Sequence, residues 1–155
     1  MASVMRYRYG PRNDLVIEKT GTVAIEIGDM VRLATQAATA YGRIKAVSAA
    51  ADHTALIGVA MSASPTTDPT ATKIRVLHIG VGTVFEMKLS SAALLYFGQP
   101  LTINAAQTLA KYGTAGTNLL TSATNVCAIV AKTMDKTGST CLVRFLGTKW
   151  DHYGS

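Results

Sequence analysis

The chain has little of what usually marks an active site or a membrane anchor. Charged residues fill only 15% of its 155 positions and aromatics 6%, with two cysteines, three histidines, one tryptophan and four prolines. No run of about 18 apolar residues occurs, which excludes a transmembrane helix. The opening MASVMRYRYG carries Arg6 and Arg8 with no apolar segment behind them, so it does not read as a secretory signal. Cys127 and Cys141 lack CxxC spacing and fit a chain that folds in a reducing cytoplasm, with a single disulfide between them left open.

Catalytic patterns are scarce as well. His53, His78 and His152 stand far apart, outside any HxH, HExxH or Cys/His arrangement, so no metal site is expected. Asp52-His53 resembles half of a base–orienter pair, but no nucleophile elbow supplies a serine. Glu18, Glu26 and Glu86 are isolated and do not form the paired acids of glycoside chemistry. Gly80-x-Gly82 lacks the third glycine and following helix of a dinucleotide site, and YGTAGTN lacks a Walker lysine. The expectation is a non-enzyme with no cofactor.

What the sequence does have is apolar material, at 48%, and strand-like alternation. The net charge of +6 is spread along the chain, from Arg6, Arg8 and Arg12 through Lys19, Arg32, Arg43 and Lys45 to Lys149. No phosphate-tracking run forms, so an acidic partner surface or a solvated exterior is favoured over nucleic acid. An oligonucleotide-binding barrel stays as an alternative, although Phe85, Tyr96, Phe97 and Phe145 are not interleaved with basic residues as that function prefers.

Strand signals begin at Val23, in TVAIEI, and continue after a Gly28-Asp29 turn into MVRL. YGRIKAV, TALIGVAMSAS, KIRVLHIG and GTVFEMKL follow, and Gly58 inside an apolar strand predicts a bulge or a close backbone approach. SSAALLYFG predicts one short helix near 91–96, with serine as its N-cap and Gly98 as its stop. FGQPLTI, VCAIVAKTM and TCLVRFLG then repeat the earlier order, with Gly98, Gln99 and Pro100 standing where Gly28 and Asp29 stood. The reading is an all-β protein, a compact β-barrel or β-sandwich built from two similar strand sets, about 23–89 and 96–147, in one domain spanning 23–147. Residues 1–22 are expected to form an extended N-terminal arm and 148–155 a C-terminal tail.

Gly28-Asp29-x-Val31, Gly58-Val59-Ala60, Gly80 through Glu86, and Gly98-Gln99-Pro100-Leu101 occur in that order over residues 23–147. In this the chain resembles the small phage head-decoration, or capsid cement, proteins with a duplicated-strand β fold. Gln99 departs from the acidic residue usual in the second turn, and the two ends have no counterpart in the family. The resemblance implies a structural protein on the exterior of a virion, made in the host bacterial cytoplasm. Its partners would be the major capsid protein and itself, as a homotrimer or a homodimer, with neither membrane nor direct nucleic-acid contact. A phage tail or head–tail connector component is the alternative within the same class. Arg and Tyr are favoured at interfaces, so Met5, Arg6, Tyr7, Arg8 and Tyr9 of the arm and Trp150 and Tyr153 of the tail are the expected contacts. Deleting residues 1–20 is expected to weaken capsid binding while the body stays folded.

Overall fold

The computed structural model describes residues 5–10, 12–20, 23–34, 42–48, 55–80, 82–93, 95–104, 107–111, 126–130 and 138–145. The elements are β1 (Arg6–Tyr9), β2 (Asp14–Glu18), β3 (Met30–Leu33), β4 (Ile44–Ala46), β5 (Leu56–Ala60) and β6 (Lys73–His78). They continue as β7 (Val84–Ala93), β8 (Pro100–Asn104), β9 (Thr108–Lys111), β10 (Val126–Val130) and β11 (Gly138–Phe145). Two sheets result, one of five strands in the order β2-β6-β5-β3-β4 and one of six in the order β1-β7-β11-β10-β8-β9. All pairs are antiparallel except β7–β9, which meet in parallel at Leu89↔Leu109. The protein is all-β, with two sheets arranged as in a sandwich.

Substituting β7, β11, β10, β8 and β9 for β2, β6, β5, β3 and β4 reproduces the strand order of the smaller sheet. The registers agree residue by residue. Asp14 pairs with Leu77 as Val84 pairs with Arg144, and Met30 pairs with Val59 as Pro100 pairs with Ile129. Even the irregularity recurs. Val31↔Gly58 is followed by Arg32↔Leu56, and Leu101↔Ala128 by Thr102↔Val126, so each inner strand carries one extra residue at the same place. The parallel contact Lys19↔Ile44 likewise matches Leu89↔Leu109. Equivalent residues of β2 and β7, β3 and β8, and β5 and β10 stand 70 positions apart, as in 14 and 84, 30 and 100, or 58 and 128. β6 and β11 differ by 67 (76 and 143), and β4 and β9 by 65 (44 and 109).

Four expectations change. The repeat boundary falls before β7 rather than after it, because β7 is the counterpart of β2. The N-terminal segment is extended, but it is no free arm: β1 pairs with β7 and β2 with β6. Residues 23–27 do not form the expected strand. Only Ile25 bridges, to Ser64, and Val23 and Ile27 are exposed. Among the described residues of 91–96 no helix forms, since β7 runs on to Ala93, which pairs with Gly138 of β11. Pairing with β11 overrides the local helical preference of Ser-Ser-Ala-Ala.

Two clusters fill the interior. The smaller joins Ile25, Val31, Ile44, Ile57, Ala60, Ile74 and Val76 within the first repeat. The larger is centred on Phe85, Met87, Leu101, Ile103, Val143 and Phe145 of the second repeat, and it takes in Met30, Leu56, Val59, Leu77 and Ile79 from the first. β5 is therefore buried on both faces, Leu56 and Val59 toward one cluster and Ile57 and Ala60 toward the other. Each large aliphatic side chain buried this way stabilises the fold by about 1.5–3 kcal/mol. Phe85 meets Phe145 edge-to-face at 5.8 Å, which adds about 0.5–1.5 kcal/mol to the area term.

Candidate functional site

β1 places its residues alternately in and out. Tyr7 turns inward, edge-on to Phe85 at 6.2 Å, and its hydroxyl donates to the Gly10 carbonyl at 2.8 Å. The Arg12 guanidinium lies 5.6 Å from the Tyr7 ring centroid. Met5 is buried in the larger cluster, its N–H donating to the Gly28 carbonyl at 3.0 Å. Met5 thus secures the N-terminus to the body instead of presenting itself to a partner. Arg6 and Arg8 are exposed, and Arg8 is ion-paired with Glu86 of β7. The Tyr9 backbone pairs with Val84. Trp150 and Tyr153 lie outside the described residues.

The cross-strand register extends this surface beyond β1. Glu86 is opposite Arg6 on one side and Leu142 on the other, Lys88 is opposite Thr140, and Arg144 is opposite Val84. Side chains in register share a sheet face. Lys88 and Arg144 are exposed, so the outer face of β1, β7 and β11 presents Arg6, Arg8, Lys88 and Arg144 around one acid. Among the described residues no carboxylate is ion-paired with Arg6, Lys88 or Arg144.

The smaller sheet differs. There Asp14 holds Arg12 at 3.1 Å and Arg75 at 3.4 Å, and Glu18 holds Arg43 at 3.4 Å. Hydrogen bonding to Arg12, with its charge and that of Arg75, keeps the Asp14 carboxyl below the usual aspartate range. On the smaller sheet Asp14 and Glu18 each hold neighbouring arginines, whereas on the face of β1, β7 and β11 Glu86 stands among Arg6, Arg8, Lys88 and Arg144. Lys88 and Arg144 were not legible as partners of Arg6 and Arg8, because their adjacency depends on a register between strands far apart in the chain.

The two expected turns are one device used twice. The Asp29 N–H donates to the Glu26 carbonyl at 3.1 Å, and the Gln99 N–H to the Tyr96 carbonyl at 3.0 Å. Gly28 and Gly98 fill the third turn position with φ of 91° and 79°, the positive values a type II turn needs there. Asp29 also accepts the Glu26 N–H at 2.8 Å, while burial pushes its carboxyl above the usual range. Pro100 opens β8 immediately after the second turn. Ile27, Tyr96 and Phe97 of these turns are exposed apolar side chains.

Three further features lie in the body. Lys19 is fully buried, and its ammonium donates to the Pro65 carbonyl at 2.8 Å and the Val23 carbonyl at 3.4 Å. It occupies the position that Leu89 fills in the second repeat. A cleft of about 340 Å³ opens on the first repeat, lined by Leu15, Val16, Ile17, Leu33, Gly42, Ile57 and His78. Cys141 is buried with a free thiol, which desolvation pushes up to about 11. Among the described residues no three His, Cys, Asp or Glu side chains are grouped to hold a metal ion, and no helix is long and apolar enough to cross a membrane. His53 and His152 lie outside the described residues.

No family model matches the chain, and no curated protein matches its sequence.

Proposed function

We propose that the chain is a non-enzymatic structural protein of a phage virion, which decorates the outside of an icosahedral head and stabilises it by bridging neighbouring major capsid proteins. The observation that carries this reading is the doubled turn-and-strand device. Gly28-Asp29-x-Val31 and Gly98-Gln99-Pro100-Leu101, two of the motifs behind the resemblance to capsid cement proteins, open equivalent strands of a duplicated all-β body.

The cationic face of β1, β7 and β11 suits docking on an acidic protein surface, which it would find by electrostatic steering. Glu86 at its centre disfavours a phosphate backbone, which would have to lie across a carboxylate. Self-association, as a trimer or a dimer, would repeat modest contacts around a symmetry axis and raise avidity without any one contact being strong.

The test is direct. Purified protein is added to expanded heads that lack it, and their thermal rupture is followed. Binding at saturable occupancy with a higher rupture temperature is the expected result. Bare and treated heads that rupture at the same temperature would remove the cementing role.

A further inference from the structure

The two repeats differ at one sheet edge. On the second, β1 lies along the outer edge of β7, with Arg6 opposite Glu86 and Tyr7 opposite Phe85. β2, the counterpart of β7, ends its sheet, and among the described residues no strand lies along its outer edge. The equivalents of Phe85, Glu86 and Met87 are Leu15, Val16 and Ile17. The place that β1 fills on the second repeat is thus open on the first.

The backbone bonds tell which groups face this opening. The His78 N–H donates to the Asn13 carbonyl at 2.8 Å, and the Lys19 N–H to the Thr72 carbonyl at 2.9 Å. Bonded residues alternate along an antiparallel pair, so Asn13, Leu15, Ile17 and Lys19 turn their backbone groups to β6. Asp14, Val16 and Glu18 turn theirs outward. Thr20, next in that set, donates to the Ile44 carbonyl at 2.9 Å, where β4 closes the far end of the edge. Before that point the edge carries N–H and C=O groups with no backbone partner among the described residues, a ready template for strand addition.

The cleft of about 340 Å³ adjoins this edge, because Leu15, Val16 and Ile17 line it with Leu33, Ile57 and His78. On the second repeat the inward residues of β1 are packed: Met5 is buried, and Tyr7 meets Phe85 edge-on. A strand laid on β2 in the same way would send the residue at the Tyr7 position toward Leu15 and the cleft, which has room for an aromatic side chain. Its outward residues would differ from those of β1. Arg8 pairs with Glu86, whereas the equivalent Val16 is apolar and 64% exposed. The nearby acids already hold arginines, Asp14 with Arg12 and Arg75 and Glu18 with Arg43. A cation facing Val16 would have to displace one of these.

We propose that the outer edge of β2 and the adjoining cleft form a docking site for an extended, uncharged segment of another protein. The segment pairs antiparallel to β2, with an aromatic residue opposite Leu15 and an apolar one opposite Val16. Main-chain bonds to Val16 and Glu18 supply affinity, and the cleft supplies selectivity. In the proposed function this segment belongs to the major capsid protein, and that assignment alone rests on that reading.

The probe is a capped peptide with the sequence of residues 4–9, altered by Arg6→Val and Arg8→Thr, with a lysine added at each end for solubility. Titration into the full chain is followed by amide NMR. With peptide at about ten times its dissociation constant, the Val16 and Glu18 amides should exchange about tenfold more slowly. Signals and exchange at both residues that stay unchanged up to the solubility limit of the peptide overturn the proposal. A peptide with Arg6→Pro instead lacks the N–H that would donate to the Val16 carbonyl, and it should bind about tenfold more weakly. Equal binding overturns strand addition. In the chain, Val16→Pro removes the outward donor and keeps the bonds to β6, so the variant should melt like the parent and lose binding to a like extent. A folded Val16→Pro that binds as the parent does overturns the proposal; should it misfold, the proline peptide on the unmodified chain decides. Tighter binding of unaltered residues 4–9 would make β1 of a second copy the occupant and overturn the uncharged partner. A chain that takes the peptide but leaves heads unstabilised keeps this inference and removes decoration. One that stabilises heads while Val16 and Glu18 ignore the peptide does the reverse.

Discussion

A β-carbon at position 58 would lie 2.4 Å from the Leu77 carbonyl oxygen and 2.6 Å from Val76 Cγ1, closer than real contacts allow. β5 is buried on both faces, so neither neighbour has room to retreat. Gly58→Ala is expected to cost about 1–3 kcal/mol, read as a lower urea midpoint at unchanged slope. A midpoint like that of the parent would mean that β6 yields without cost. Asp29 offers a test of opposite sign. Burial raises its carboxyl, so the fold holds that proton more tightly than the unfolded chain does. Its contribution is greatest at low pH and declines as pH rises from the ordinary aspartate range through the raised value. Asn at 29 keeps an acceptor for the Glu26 N–H and removes the titration, and the equivalent position of the second repeat already holds an uncharged residue, Gln99. Asp29→Asn should be at least as stable as the parent at neutral pH, with a melting profile that declines less as pH rises above the ordinary aspartate range. A variant that melts earlier at neutral pH would show that the carboxylate is favoured there.

At the scale of elements, Gln107 ties the β8–β9 connection to β3 and to Val47 through three hydrogen bonds. Gln107→Ala leaves backbone groups of Met30 and Val47 without this partner, and it should cost about 1–3 kcal/mol in denaturant. A loss below measurement would mean that water takes over the bonds. This contact also marks the limit of what the sequence shows. Alternation locates β5 and β6, and Gly28 and Gly98 announce the turns, because those signals are local. Gln107 sits in an unremarkable AAQT stretch, and nothing local shows that it reaches a strand 77 residues away. β7 reads as a strand and then as a helix because Ser-Ser-Ala-Ala carries no β signal; its pairing with β11 decides. The apparent arm failed as a reading for a similar reason. β1 alternates Arg with Tyr, and its inward partner Phe85 lies 78 residues from Tyr7. Of the expected contact residues, Arg6 and Arg8 are on a surface and Met5 is in the core, a distinction that depends on which way a four-residue strand turns.

For the whole molecule, β1 and β2 make deletion of residues 1–20 uninformative. It would remove β2, the first strand of the first repeat, together with the buried Lys19, so loss of folding is expected rather than a weakened binder with an intact body. The cationic face allows a cleaner experiment. Lys88→Glu with Arg144→Glu reverses two exposed charges on the outer face of the larger sheet, and Lys73→Glu with Arg75→Glu does the same on the smaller one. Both doubles take the net charge from +6 to +2. Exposed substitutions of this kind usually change stability by less than about 0.5 kcal/mol each, so both variants should fold. If the larger sheet docks on an acidic capsid surface, only the first pair should lose occupancy on heads. The loss should be greatest at low ionic strength, where screening is weakest. Equal losses from both doubles would mean that net charge acts without a particular face, and no loss from either would remove β1, β7 and β11 from the docking surface.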